Sequence, residues 1–318
     1  MELLLPKHII FERGALSKLP DFVSEGKTLL ITSKGMLTRW PVDKIKELIK
    51  DIEIFSDVEP EPSMETVEKA KAIGADTVIG LGGGSVLDVA KYVAMELNAK
   101  KIMIPTTAGT GSEVTHESVL KIDGKKKGIK NEKLLSDVAI VDPELSLTMP
   151  EKLTACTGID ALAHAVECYE SKKSNIMIKF LAKEAIDIIK LNLKKAISGD
   201  EQAREQMAYA SMVAGMAFGN SGTALGHALS YPLSNQGIPH GEAVAIVLPY
   251  ALDFNGTDPE LSQQIKTIIK ETGLGDVKIK GTPEELAEVV FPDKRHLDNN
   301  PKEVTKKDLV KIFTEILK

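Results

Sequence analysis

Asp76-Thr77-Val78-Ile79-Gly80-Leu81-Gly82-Gly83-Gly84-Ser85, running directly into Val86 to Leu97, is the stretch that decides the fold. A short apolar run ends in three glycines and a serine, and a helical pattern begins at once. Glycine lets a ligand approach the backbone closely, and a helix start offers unpaired N–H groups at the positive end of its dipole. That is anion chemistry, most often phosphate; a tight strand-to-helix turn without a ligand is the plainer alternative. The pattern departs from the usual dinucleotide fingerprint. Gly80-x-Gly82-x-x-Ser85 lacks the third glycine, and it follows the third predicted strand rather than the first. No Gly-Lys-Ser/Thr follows, so it is not a P-loop.

Outward from this turn the first half alternates strands with helices. Strands are expected over 27–32, 51–55, 76–81, 100–104 and 138–141, and helices over 42–50, 63–73 and 86–97. Such alternation argues for a parallel sheet covered on both faces. The strand at 100–104 ends in a second unusual loop, Pro105-Thr106-Thr107-Ala108-Gly109-Thr110-Gly111-Ser112-Glu113, dense in hydroxyls and glycine. Ligands of a parallel sheet sit beyond the carboxyl ends of its strands, so both loops should face one crevice. Two such loops on consecutive strands favour a nucleotide over a polar surface loop.

After Pro150 the pattern becomes helix after helix: 151–170, 176–196, 201–219, 221–231 and 242–253, with capped starts at Thr282 and Thr305. The expectation is a Rossmann-like α/β domain over 1–148, followed by an all-α domain over 149–318.

Composition excludes several classes. The 318 residues suit about two domains. A net charge of −6 gives no field for a phosphate polymer, so no nucleic-acid partner is expected. The basic triplet Lys125-Lys126-Lys127 reads as a solvated turn. No apolar run reaches the roughly 18 residues of a membrane span, and Met1 to Lys7 does not read as a signal peptide. Cys156 and Cys168 fall in one predicted helix, roughly 18 Å apart at about 1.5 Å per residue, beyond disulfide reach. A reducing cytoplasm is the expected location.

Six histidines stand at positions 8, 116, 164, 227, 240 and 296. Asp160 and His164, four apart on a predicted helix, point from one face. His227 lies in the apolar helix Leu225-Gly226-His227-Ala228-Leu229, where a satisfied core histidine is the commoner reading. His240 sits where a loop enters a helix, in Pro239-His240-Gly241-Glu242. One carboxylate and three imidazoles would suit Fe²⁺ or Zn²⁺, and spacing does not choose between them.

Four motifs stand in order: Gly82-Gly83-Gly84-Ser85-x-x-Asp88-x-Ala90-Lys91, Thr106 through Thr115, Gly158-x-Asp160-Ala161-x-x-His164, and Pro239-His240-Gly241. Together they resemble the signatures of the iron-containing alcohol dehydrogenases, from Phe11 to at least Tyr250 and more weakly through His296-Leu297-Asp298-Asn299-Asn300-Pro301. The resemblance implies that Asp160, His164, His227 and His240 hold the metal. It implies a pyrophosphate loop at Gly82, Gly83, Gly84 and Ser85, nicotinamide-nucleotide contacts from Thr106, Thr107 and Ser112, and a cofactor-side role for Asp88. Lys127, with Lys126 as the alternative, matches a lysine at the cofactor ribose.

Three departures from the family pattern bear on function. Ser33, in Ile31-Thr32-Ser33-Lys34-Gly35, stands where NAD-preferring relatives place an aspartate, and Lys34 adds a positive charge; NADP(H) is therefore favoured over NAD(H). Tyr231 replaces a histidine that some members carry four residues after the third ligand. It either bonds substrate or relays a proton, or simply fills space, and a phenol of pKa about 10 is a poor base at neutral pH. The chain is also shorter than the family norm. The implied activity is hydride transfer between a nicotinamide and a small alcohol or aldehyde, by a cytoplasmic homodimer or larger homo-oligomer. Glycerol-type and phosphonate- or hydroxyacid-aldehyde enzymes stay open as alternatives. A lyase resembling dehydroquinate synthase is disfavoured, because few basic residues surround the candidate ligands.

Overall fold

A computed structural model describes residues 2–318, and they divide into two compact units, the first ending at Thr148 and the second running over Met149–Lys318. In the first unit the strands are β1 (His8–Phe11), β2 (Thr28–Ile31), β3 (Ile52–Phe55), β4 (Thr77–Gly82), β5 (Lys100–Pro105), β6 (Glu117–Ile122), β7 (Lys125–Lys130) and β8 (Val138–Val141). Its helices are α1 (Trp40–Leu48), α2 (Met64–Lys71) and α3 (Gly84–Leu97), with short 3-10 turns between. Six strands form a parallel sheet in the order β1-β8-β5-β4-β2-β3.

Both faces of this sheet are covered, and the two-residue period of a strand decides which side chain goes where. Leu30, Ile79 and Ile102 pack with Leu16, Leu19, Val42 and Ile45 on one face. Their chain neighbours Leu29, Ile31, Val78 and Met103 pack with Val67, Leu87, Ala90 and Val93 on the other. Strands apolar on both sides read as continuous hydrophobic runs, which is why β2, β4, β5 and β8 were visible in the sequence.

Two expectations for this unit need correction. The glycine turn follows the fourth strand, because the partly buried edge strand β1, which was not anticipated, comes first. Lys125-Lys126-Lys127 is no turn. It opens β7, antiparallel to β6. The turn is Asp123-Gly124, both at positive φ (53° and 74°), as a tight hairpin connection requires.

The second unit contains α4 (Glu151–Glu170), α5 (Ile176–Ile197), α6 (Glu201–Ser221), α7 (Leu225–Ser234), α8 (His240–Asn255), α9 (Pro259–Glu271), α10 (Pro283–Val290), α11 (Lys294–Leu297) and α12 (Lys306–Ile316). Among the described residues it contains no strand. Capping boxes are present at Thr282 with Glu285 and at Thr305 with Asp308. α7 starts later than the expected 221, because α6 runs on to Ser221 and Gly222, at φ 82°, breaks the chain direction. α9 was not anticipated, although Asp258 caps it and Pro259 occupies its first turn.

α4 is buried along most of its length, so it forms the axis of the unit. Both cysteines on it are free and buried. Among the described residues, no helix is long and apolar enough to cross a membrane.

Candidate active site

Three of the four candidate ligands converge. Asp160 on α4, His227 in the first turn of α7 and His240 at the first position of α8 each present one ligand atom, all within 4.8 Å of one another. His240 Nε2 lies 3.4 Å and His227 Nε2 3.6 Å from Asp160 Oδ1. His164, one turn after Asp160, brings Nε2 to 3.9 Å from the same oxygen. Its ring is sandwiched between Phe218, at 4.0 Å between centroids, and His227, at 4.5 Å. His164 therefore stands at the edge of the cluster, outside the set of mutually close atoms.

The first test of a cation site is whether its polar atoms are otherwise satisfied. Asp160 Oδ1 and His227 Nε2 are buried and make no hydrogen bond. Leaving such atoms unpaired costs about 1–3 kcal/mol each. A carboxylate oxygen and an imidazole nitrogen facing one another, buried and unbonded, fit a shared divalent ion of the iron or zinc type.

Electrostatics point the same way. Burial works against the charge on Asp160, but the surrounding imidazoles of His164, His240 and His227 hold its carboxyl well below the usual range. Burial, reinforced by its histidine neighbours, pushes His164 down to about 4, so it is neutral at pH 7. Burial also opposes charge on His227, yet Glu167 and Asp160 together raise it to about 10. Two buried carboxylates, Asp160 and Glu167, thus flank the His227 ring, and their negative charge favours a cation beside it.

Glu167 was missed by the sequence reading. It is buried on α4, seven residues after Asp160 and three after His164, so all three lie along one helical stripe. Its Oε2 bonds His227 Nδ1, while Oε1 accepts from the backbone N–H groups of Gly226 and His227 (3.3 Å for the latter). Burial opposes its ionisation, but His227 holds its pKa below the ordinary value. The i, i+4, i+7 spacing of Asp160, His164 and Glu167 was the available signal.

Two glycines explain why these helices come so close. A Cβ on Gly241 would overlap the backbone carbonyl of Cys156, one turn before Asp160, so only glycine lets α8 begin against α4. A Cβ on Gly226 would stand 2.8 Å from Glu167 Oε1. Glycine beside His227 and His240 is thus a packing requirement for bringing each imidazole to Asp160.

In the first unit, the glycine turn and the threonine loop lie side by side. Thr106 N donates to Gly82 O at 3.0 Å. A Cβ on Gly83 would meet Thr107 at 3.3 Å, and one on Gly84 would meet Thr110 at 2.8 Å. Gly83 precedes α3 without any side-chain cap, and Ser85 and Thr107 are only half-buried beside it. The arrangement is an uncapped helix start ringed by small hydroxyls, suited to phosphate.

Asp88 and Ser112, both expected on the cofactor side, are largely occupied with each other. Ser112 Oγ donates to Asp88 Oδ1 at 2.7 Å, and Val119 N donates to Oδ2 at 3.0 Å. Beneath the loop the fully buried Lys91 donates to the carbonyl oxygens of Ser112 (2.9 Å) and Glu117 and to the Thr115 hydroxyl (3.2 Å). Burial pushes Glu113, in the same loop, up to about 7, against a lowering from Lys91.

The remaining candidates are more peripheral. Ser33 is half-buried at the end of β2, bridged to Asp57. Lys34 is paired with Asp57 at 2.6 Å, so its charge is shared rather than isolated. Lys127 is exposed on β7 and paired with Asp123 at 3.5 Å. Lys126 is more enclosed and pairs with Glu61 at 2.5 Å. Tyr231, one turn after His227, is half-buried and meets the His296 ring edge-on at 5.5 Å.

Comparisons with known proteins place the chain in a family. A family model described as iron-containing alcohol dehydrogenase matches residues 6–143. A second, described as the C-terminal part of the Fe-containing alcohol dehydrogenase family, matches residues 154–274. Long-chain-alcohol dehydrogenase 1 of Geobacillus thermodenitrificans is 41% identical over 276 residues, covering 76% of this chain and 70% of that protein. An NADPH-dependent butanol dehydrogenase of Clostridium saccharobutylicum is 33% identical, covering 98% of this chain and 97% of that protein. The crystal structure of an iron-containing alcohol dehydrogenase from Thermotoga maritima superposes with a TM-score of 0.89 at 34% identity, covering 99% of each chain.

Proposed function

Because the chain belongs to the iron-containing alcohol dehydrogenases, a metal-dependent family of alcohol dehydrogenases and aldehyde reductases, we propose which of its residues carry that activity and which cofactor it uses. Asp160, His227 and His240 hold the metal, with His164 as the fourth ligand. The observation that carries this assignment is the pair of buried, unbonded atoms, Asp160 Oδ1 and His227 Nε2. A divalent iron or zinc ion bound there supplies Lewis acidity toward an alcohol or carbonyl oxygen.

The protein's own residues do the rest. Phe218 and His227 clamp the ring of His164 between them and fix its orientation. Gly241 sets the entry of α8 so that His240, the most exposed of the set, faces Asp160 from the open side. Gly82, Gly83, Gly84 and Ser85 receive the pyrophosphate of the nicotinamide cofactor, and Thr106 and Thr107 contact its nicotinamide half. Asp88, Ser112 and Lys91 hold that threonine loop in shape, with Asp88 and Ser112 acting through their mutual hydrogen bond. Lys127 contacts the cofactor ribose. Tyr231 lines the substrate side of α7, one turn from His227.

NADP(H) is the preferred cofactor. Ser33 offers no carboxylate to repel a 2′-phosphate, and the exposed Lys34 can exchange Asp57 for that phosphate. The substrate is a small alcohol or aldehyde. Assembly as a homo-oligomer in the cytoplasm belongs to the same proposal and is checked by light scattering and cell fractionation.

The test is to load the purified chain with Fe²⁺ or Zn²⁺, measure bound metal, and follow NADPH and NADH oxidation with short aldehydes. One ion per chain, activity lost on chelation and a preference for NADPH are expected. Full activity in metal-free protein would overturn the ligand assignment.

A further inference from the structure

Glu167 is the residue of the helical unit whose chemistry exceeds its apparent role. α7 begins without a side-chain cap, since its N-cap position is Ala224. The first-turn N–H groups of an uncapped, buried helix must find acceptors elsewhere. Both Gly226 N and His227 N find one in Glu167 Oε1, so a carboxylate from α4 caps α7 from outside its own sequence. The same carboxylate reaches Nδ1 of His227 with its other oxygen. Asn299 fixes the connector just before this helix, donating from Nδ2 to Ser221 O at 3.0 Å and Thr223 O at 2.9 Å.

We propose that Glu167 is the positioning residue of the metal site: by capping α7 and accepting the Nδ1 proton of His227 it fixes that imidazole with Nε2 turned toward Asp160. A carboxylate accepts only, so the nitrogen facing it must carry hydrogen. In the neutral ring Nε2 is then left with its lone pair free for a cation. Gly226 belongs to the device, because any side chain there would crowd the Glu167 oxygen. The inference rests on the metal-site reading given above and adds to it a buried partner that selects the tautomer and seats the third ligand. Such partners of metal-bound histidines typically change metal affinity about 10–100-fold when removed.

Glu167→Gln separates positioning from simple packing. Its amide oxygen can still cap α7. Its amide NH₂, turned to Nδ1, would instead favour the tautomer with hydrogen on Nε2, the wrong one for ligation. Metal affinity is measured on chelator-stripped protein by competition with a coloured chelator, using Co²⁺ and Zn²⁺, together with the Co²⁺ visible spectrum and the Tm of the apo protein.

The expected result is a loss of Co²⁺ and Zn²⁺ affinity of about 10–100-fold, an altered Co²⁺ spectrum and an apo Tm within a few degrees of the parent. In a His227→Ala background the same substitution should change affinity little further. Wild-type affinity in Glu167→Gln, or an equal loss in the His227→Ala background, overturns the proposal. If Glu167→Gln does not fold, Glu167→Asp carries the test. It keeps the charge but withdraws the oxygens, so weaker metal binding is expected and unchanged binding overturns the proposal. A parent chain that binds neither ion removes the metal-site reading itself, and this inference with it; a parent that binds beside an unaffected variant removes this inference alone.

Discussion

The glycine–threonine margin of the sheet and the histidine cluster of the helical unit are made of different materials. The first is backbone: an uncapped helix start, three glycines and hydroxyls packed loop against loop, with its charged residues, Asp88 and Lys91, turned inward to hold shape. The second is side chain: two buried carboxylates and three imidazoles drawn from three helices, with glycine needed only to let the helices approach. A backbone site tolerates replacement of any one hydroxyl, because its donors are many and equivalent. A side-chain site has no spare member. The cluster should therefore respond steeply to single substitutions and the sheet margin gradually.

His227→Ala gives the largest expected effect. Removing the imidazole leaves Asp160 and Glu167 buried without their common partner. Turnover should fall at least a thousandfold, about 4 kcal/mol of transition-state stabilisation, and bound metal should drop with it. Metal analysis beside steady-state kinetics checks both; a variant with full metal and full turnover would break the contrast between the two regions. Thr107→Ala is the matching change at the sheet margin, and a loss there of about tenfold or less in kcat/KM, near 1.4 kcal/mol, is expected.

Gly241→Ala comes next. Its new Cβ would overlap the Cys156 carbonyl, which belongs to backbone and cannot swing aside. Overpacking of this kind costs up to about 3 kcal/mol, so a clear fall in Tm is expected, with weaker metal binding because α8 carries His240. Gly83→Ala meets only the Thr107 side chain at 3.3 Å. It should leave Tm nearly unchanged and raise the cofactor KM instead. Equal thermal losses in the two variants would erase the distinction.

How far each region was legible follows from the same contrast. Strands β2, β4, β5 and β8 are local apolar runs, and the glycine turn and threonine loop each occupy a single continuous stretch, so one reading of the chain exposed them. β1 and the β6–β7 hairpin were not anticipated: β1 offers only Ile9-Ile10-Phe11, with no helix of the α/β alternation directly after it, and β7 is lysine-rich. In the helical unit Asp160 and His164 could be paired by spacing alone. His227 and His240 join them only through helix packing, and before the structure only the family resemblance connected them. Glu167 escaped notice because its work depends on where α7 begins, and Gly222 moved that start to Leu225.

Glu113, buried in the threonine loop of the sheet margin, extends the contrast to pH. Burial raises it to about 7, so between its ordinary value of 4.5 and about 7 the folded chain keeps a proton that the unfolded chain has released. Stability contributed by this group therefore falls as pH rises through that window. Glu113→Gln has no proton to lose. Its advantage should grow from about pH 5 to pH 8 and reach about 2–3 kcal/mol, read as urea midpoints against pH. A parallel pH dependence of parent and variant would show that Glu113 does not titrate in this window.

Ser33→Asp carries the smallest expected effect, because its site is half-exposed and water screens charges there. The end of β2 already has a carboxylate beside it, Asp57, but Lys34 holds that group in an ion pair at 2.6 Å and both side chains are largely exposed. Exposed pairs are worth about 1 kcal/mol or less, so under the proposed NADP(H) preference Lys34 would give up Asp57 for a 2′-phosphate at little cost. A second carboxylate at position 33 would compete for Lys34 and oppose the phosphate, while accepting hydrogen bonds from the free ribose hydroxyls of NAD(H). The ratio of kcat/KM for NADPH to that for NADH should therefore shift toward NADH by about tenfold, or 1.4 kcal/mol. Lys34→Ala should move it the same way by less. An unchanged ratio in both variants would place cofactor choice elsewhere on the sheet margin, whereas bound metal should stay at the parent's level throughout, since neither residue belongs to the histidine cluster.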